Sequence, residues 1–196
     1  GDEEIISQEQ AIEWFDIKDV GKGAARFDFA KLTNLNGVYL RQADDTRLAN
    51  DIAPLIAKQI GVDAIDAAQK EILIKGMSGL KERAKTLIEL ADSSAFYVTD
   101  GVTSFNEKAQ SLIDSAPEGL FAELAKELDA LENWTEENVD ASVRNIAEKL
   151  DQKLGKVAQP LRAVLTGSNS SPGIFEVMIV LGKSQTLKRI RKFDAK

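Results

Sequence analysis

Apolar side chains recur every three to four positions along almost the whole chain. Leu120, Phe121, Leu124, Leu128 and Leu131 form the clearest stripe, a 3.6-residue period that marks one buried face of an amphipathic helix. Val139, Val143, Ile146, Leu150 and Leu154 repeat the pattern, and so do Leu32, Leu35, Tyr39 and Leu40 near the start. Leu48, Ile52 and Leu55 mark another such face, and Ile65, Ala68, Ile72 and Leu73 one more. No stretch alternates apolar and polar residues for long enough to make a strand, and no repeat of fixed period stands out. The pattern therefore predicts an all-α fold of about ten helices.

Capping residues divide the stripes into elements. The opening GDEEIIS is acidic and reads as a connector, and Ser7 with Gln10 makes a capping box for a short helix ending near Trp14 and Phe15. A loop from Asp16 to Gly23 follows, with Gly21 and Gly23 flanking Lys22, and a helix runs from Asp28 to Gln42. Asp44 and Asp45 start the next, punctuated by Pro54 and Gly61. Between Asp63 and Arg83 the composition is helical, although Gly76 and Gly79 each weaken it by roughly 1 kcal/mol relative to alanine. Thr86 caps a segment from Leu87 to Ala91.

The stretch Asp92–Val102 has loop composition, anchored by Phe96, Tyr97 and Val98, and a division near residue 95 separates helical subdomains 1–95 and 96–196. Ser104 with Glu107 suggests a second capping box, Pro117 opens a helix, and Thr135 caps another with Glu136 and Glu137 in its first turn. Trp14 and Trp134 read as core anchors. From Gly155 to Leu187 the pattern gives two helices joined by the polar turn Ser168–Ser171. Pro160 suits the start of the first, which Thr166 and Gly167 end. Ser171 is the expected N-cap of the second, Pro172 its first residue, and Gly182 its stop.

Composition narrows the chemistry. The 196 residues contain no histidine and no cysteine, which removes the commonest general base, the commonest metal ligand, thiolate nucleophiles and disulfides. No phosphate-cradling glycine motif is present, and carboxylate pairs such as Glu136–Glu137 fall on solvated helix starts. A hydrophobic content of 43% and a charged content of 29% suit an ordinary globular domain. No apolar run is long enough for a membrane span, and no signal-peptide pattern appears. The chain is thus poor in catalytic tools, and recognition becomes the more promising class.

The net charge of −7 argues against a nucleic-acid binder until its distribution is considered. Residues 151–196 carry nine Lys and Arg against three Asp and Glu, a net of +6, whereas the other 150 residues carry a net of −13. Lys156, Lys183, Lys188, Arg189 and Arg191 are therefore candidate phosphate contacts. The same basic run also suits a solvated helix end, or the basic face of a helical protein–protein interaction module meeting an acidic partner. Arg162 lies about a turn before Thr166 and close in sequence to a helix N-terminus near residue 171, an arrangement suited to a polar, electron-rich ligand.

Two separated stretches carry a family resemblance. VAQPLRAVLTGS and SPGIFEVMIVLGK resemble the C-terminal anticodon-binding region of bacterial glutamyl-tRNA synthetases, and FDIKDVGKGAARFDFAKLTNLNGVYLR resembles a pattern found soon after their catalytic domain. Thr33 stands where the family usually has a bulky residue, and Val38-Tyr39-Leu40 replaces a similar aromatic-aliphatic run. The matches lie in the family's order and frame nearly the whole chain. The HIGH-like and KMSKS-like signatures of the class I catalytic domain are missing.

The resemblance implies a helical cage that binds the anticodon loop of tRNA(Glu), with no catalysis, cofactor or metal in this chain. ATP and magnesium would serve a glutamate–tRNA ligase active site outside it. It further implies a cytoplasmic monomer with no DNA or membrane partner. Arg162 matches an arginine that contacts the anticodon, and Ser171 and Ile174 match positions that meet its bases. Arg83 matches the arginine with which discriminating members accept a pyrimidine, and disfavour a guanine, as the third anticodon base. An arginine fork suits the edges of unpaired pyrimidines.

Overall fold

The computed structural model describes residues 5–21, 23 and 26–194. The acidic residues 1–4 and Lys22 lie outside them. The described residues contain ten α-helices and three short 3-10 turns, joined by loops, with no strand. The first four helices are α1 (Gln8–Trp14), α2 (Phe29–Gln42), α3 (Asp45–Ile60) and α4 (Ala67–Lys81). They are followed by α5 (Leu87–Ser94), α6 (Glu107–Asp114) and α7 (Leu120–Asp129). The last three are α8 (Glu136–Lys149), α9 (Leu154–Thr166) and α10 (Ile174–Ile190). The all-α expectation is met.

Side-chain caps fix most of the helix starts. Ser7 and Gln10 close the expected capping box on α1, and Asp28, Asp44, Thr86 and Thr135 cap α2, α3, α5 and α8. In each, a side-chain oxygen accepts from the N–H three residues on, satisfying one donor that the helix leaves over. Elsewhere the boundaries move. Asn106, not Ser104, caps α6. α7 starts after Gly119 rather than at Pro117, and α5 extends to Ser94 into territory of loop composition. Pro160 sits in the middle of α9, where its missing N–H forfeits one backbone bond without ending the helix.

α3 packs against α4 and α5, and α2 lies on α4. α10 runs through the centre of the other elements, touching α7, α8 and α9 as well as α4. The buried hydrophobic side chains from Leu40 to Ile190 form one cluster. Phe121, Leu124 and Leu128 of α7, Val139, Val143 and Ile146 of α8, and Leu161, Val164 and Leu165 of α9 are almost wholly buried in it. Trp134 is half-buried and donates from Nε1 to the carbonyl of Met178 at 3.0 Å, as an anchoring tryptophan should. Trp14 is not a core anchor: it is 50% exposed, and none of α1 is buried. The stripe that predicted its burial finds no opposing element among the described residues.

α10 is bent at Gly182, whose φ of 75° and ψ of 164° lie outside the helical region. That conformation is open to glycine and strained for other residues. The bend lets one segment bury Ile174, Val177, Met178 and Leu181 and the next bury Thr186, Leu187, Arg189 and Ile190.

Candidate anticodon-binding groove

The end of α9 and the turn behind it fold around a single guanidinium nitrogen. Arg162 Nη1 donates to the carbonyl of Pro172 at 2.7 Å and to that of Ser171 at 3.1 Å. It also meets the Ser171 hydroxyl, which itself donates to the Pro172 carbonyl at 2.9 Å. Thr166 closes the last turn of α9 by donating to the Arg162 carbonyl at 2.9 Å, and its hydroxyl accepts from the Ser168 N–H at 3.2 Å. Ser171 is buried, and its hydroxyl does not cap α10. The N-cap is Gly173, which has no side chain to cap with.

A groove of about 960 Å³ opens between this turn and the segment from α5 to Asn106. Arg83 lines one end of it, and Asp92, Thr99, Asn106, Ser168 and Ser171 are among its other walls. Asn106 stitches the two sides together. Its backbone N–H donates to Gly167 O at 3.0 Å, and its side-chain amide reaches Ser168 Oγ at 3.2 Å and Asn169 Oδ1 at 3.3 Å. Burial, and then the positive charge of Arg83, make the Arg162 guanidinium somewhat easier to deprotonate. The two arginines therefore sense each other, although 79 residues separate them in sequence. One arginine on the wall of a polar groove, with a second anchored behind that wall, suits the electron-rich edges of unstacked bases.

Three of the four sequence-derived recognition residues thus gather here. Arg83 is exposed at the groove, Ser171 forms part of its wall, and Arg162 stands behind Ser171, half-buried. Ile174 is 5% exposed and belongs to the core beneath the turn. Asn106 and Asp92 went unrecognised in the sequence. Asn106 directly precedes a glutamate at a helix start, a signal that was overshadowed by the Ser104–Glu107 spacing.

The candidate phosphate contacts separate sharply. Arg189 is 1% exposed and cannot meet a phosphate. Its guanidinium donates to Leu165 O at 2.5 Å, Phe96 O at 2.8 Å and Thr99 O at 2.8 Å, and burial brings its pKa down to about 10. Lys183 donates to the carbonyls of Asp129 and Leu131 at 2.7 and 2.8 Å, at the end of α7. Lys188 pairs with Asp100 at 2.6 Å, and Arg191 with Asp129 at 2.8 Å. Lys156 is exposed. The basic run is thus largely engaged with the protein's own acceptors, which also weakens the ground for a basic docking face.

Comparisons with known proteins agree with this architecture. The family described as the anticodon binding domain matches residues 47–193. Glutamate–tRNA ligase 2 of Chelativorans sp. (strain BNC1) is 48% identical over an alignment of 195 residues that covers 97% of this chain and 41% of that protein. Glutamate–tRNA ligase 1 of Sphingopyxis alaskensis is 50% identical over 192 residues, covering 97% of this chain and 39% of that one. The chain therefore spans about two fifths of the length of these curated relatives. Among solved structures, a glutamate tRNA ligase from Elizabethkingia meningosepticum in complex with its amino acid superposes with a TM-score of 0.78 at 28% identity, over 99% of this chain and 38% of that one. The glutamate-tRNA synthetase of Elizabethkingia anophelis gives 0.75 at 28% identity, over 99% and 37%. The chain belongs to the anticodon binding domain family, and these relatives that share it are glutamate–tRNA ligases.

Proposed function

We propose that this chain reads the anticodon loop of tRNA(Glu) in the groove between α5 and the α9–α10 turn. The observation that carries this reading is the fixed Arg162. All three of its hydrogen bonds leave from Nη1, so Nε and Nη2 remain to donate to a base edge from a side chain that is already oriented. Such preorganisation lowers the ordering cost of binding. Arg83, free at the other end of the groove, supplies the second fork and favours a pyrimidine over a guanine as the third anticodon base. Ser171 acts by holding Arg162 and shaping the wall, and Ile174 by supporting the turn from below. Lys156 is the phosphate contact that the geometry favours most.

The same proposal extends to the whole protein. It joins glutamate to tRNA with ATP and magnesium, at a catalytic site outside this chain, as a cytoplasmic monomer without DNA as a partner. Residues 1–95 form a first helical subdomain that contacts the tRNA stem and also reaches the anticodon through Arg83, and residues 96–196 a second that binds the anticodon. The test uses anticodon stem-loops reading glutamate codons, together with one whose third base is guanine. Arg162→Ala is expected to weaken binding to the glutamate loop by about tenfold or more, the loss of one good bidentate contact. Arg83→Ala is expected to keep most of the affinity and lose the third-base preference. Wild-type affinity in Arg162→Ala would contradict the proposal.

A further inference from the structure

Glu176 stands in the first turn of α10, where α10 meets α4. Its carboxylate packs directly against Gly79, on α4. The fit against α4 is close. A Cβ at Gly79 would lie 2.3 Å from Glu176 Oε1, 2.7 Å from Oε2 and 2.8 Å from the carboxyl carbon. Gly79 therefore has a reason beyond helix propensity, which disfavours it: it leaves a seat for the carboxylate of another helix.

The seat lies between the two groups that the groove depends on. Gly79 is four residues before Arg83, and Glu176 is five residues after Ser171. Arg83 and Arg162 carry like charges, and that of Arg83 bears on the Arg162 guanidinium. Burial, and then the negative charge of Glu136, hold the Glu176 carboxyl above its usual range, and the charge of Arg83 works the other way. Hydrogen bonds to a base edge weaken within a few tenths of an ångström. A slide of α4 against α10 would therefore change which base both arginines can reach together.

The geometry points to Glu176 as a positioning residue for anticodon reading, its carboxylate seated on Gly79 and setting the spacing of Arg83 and Arg162 across the groove. This rests on the anticodon-reading function proposed above. Glu176 touches no base in this scheme; it acts through the register of two helices.

The experiment measures binding of the 196-residue chain to two stem-loops that differ only in the third anticodon base, and takes the ratio of affinities. Gly79→Ala places a methyl group where the carboxylate sits, and Glu176→Ala removes the carboxylate. Each is expected to reduce the ratio about fivefold or more, and the double variant no further than either alone, because groups in contact are not additive. A purely structural role would weaken both loops equally and leave the ratio unchanged. Glu176→Gln, which keeps the shape and loses the charge, is expected to lower the ratio as well, and it stands in if either alanine variant fails to fold. Folded variants with the wild-type ratio, or a double variant whose loss is the product of the single losses, would overturn the inference. A wild-type chain that discriminates while all variants discriminate equally would sink only the role of Glu176. A wild-type chain that does not discriminate would sink the anticodon reading and this inference together.

Discussion

A guanidinium can be buried at moderate cost only when its N–H groups find acceptors. Arg189 finds three carbonyls, two from the turn at residues 96–99 and one from the end of α9. Phe96 and Thr99 also line the groove, so one side chain of α10 ties a groove wall to the core. Arg189→Met removes the donors and leaves three carbonyls in an apolar setting. The variant is predicted to lose about 3 kcal/mol of stability, within the range for breaking a buried charged contact. Urea denaturation would measure this, and a variant as stable as wild type would contradict it. The sequence obscured this residue because Lys188, Arg189, Arg191 and Lys192 look alike in a basic run. Helical phase was the usable signal: Thr186, Arg189 and Ile190 fall on one side and are all buried. The roles of Arg162 and Arg83 came from the family resemblance, since no local pattern says that residues so far apart in sequence share a groove.

The helices themselves were largely legible because their stripes and caps obey local rules. The caps at Ser7, Asp28, Asp44, Thr86 and Thr135 follow from a side-chain oxygen preceding a helical pattern. Ser171 had the same appearance, but its hydroxyl is taken up by Arg162 and the Pro172 carbonyl. Pro160 looked like a first residue, yet α9 has already begun at Leu154. In both cases a tertiary or neighbouring interaction outweighs a local preference. Gly182 was rightly expected to interrupt its helix; that the chain resumes helical geometry at once depends on the core waiting for Leu187 and Ile190. Gly182→Ala is predicted to cost about 1–3 kcal/mol, the strain of placing a side chain at this φ and ψ. Nothing lies within 4 Å of an added Cβ there, so the loss would report backbone strain alone. Thermal unfolding checks this, and an unchanged Tm would show that the bend relaxes freely.

At the scale of the whole molecule, the charge count of the last 46 residues was correct as arithmetic but incomplete as physics. It treated each cation as facing solvent, whereas Arg189 is buried and Lys183, Lys188 and Arg191 are committed to carbonyls or carboxylates of the protein. A broad basic surface gives salt-sensitive and sequence-blind binding. A small groove with Arg83 on its wall and Arg162 behind it, in an otherwise acidic chain, should give the reverse, a weak general attraction and a marked base preference. The groove joins the α4–α5 side of the chain to the α9–α10 turn, which no local sequence window spans.

The measurement that tests this most directly is a titration of the chain with a glutamate anticodon stem-loop and with an unrelated loop on the same stem, at low and moderate salt. The account predicts that the glutamate loop binds more tightly at both salt concentrations and that the preference survives as overall affinity falls. Equal binding of the two loops, vanishing together as salt rises, would contradict it.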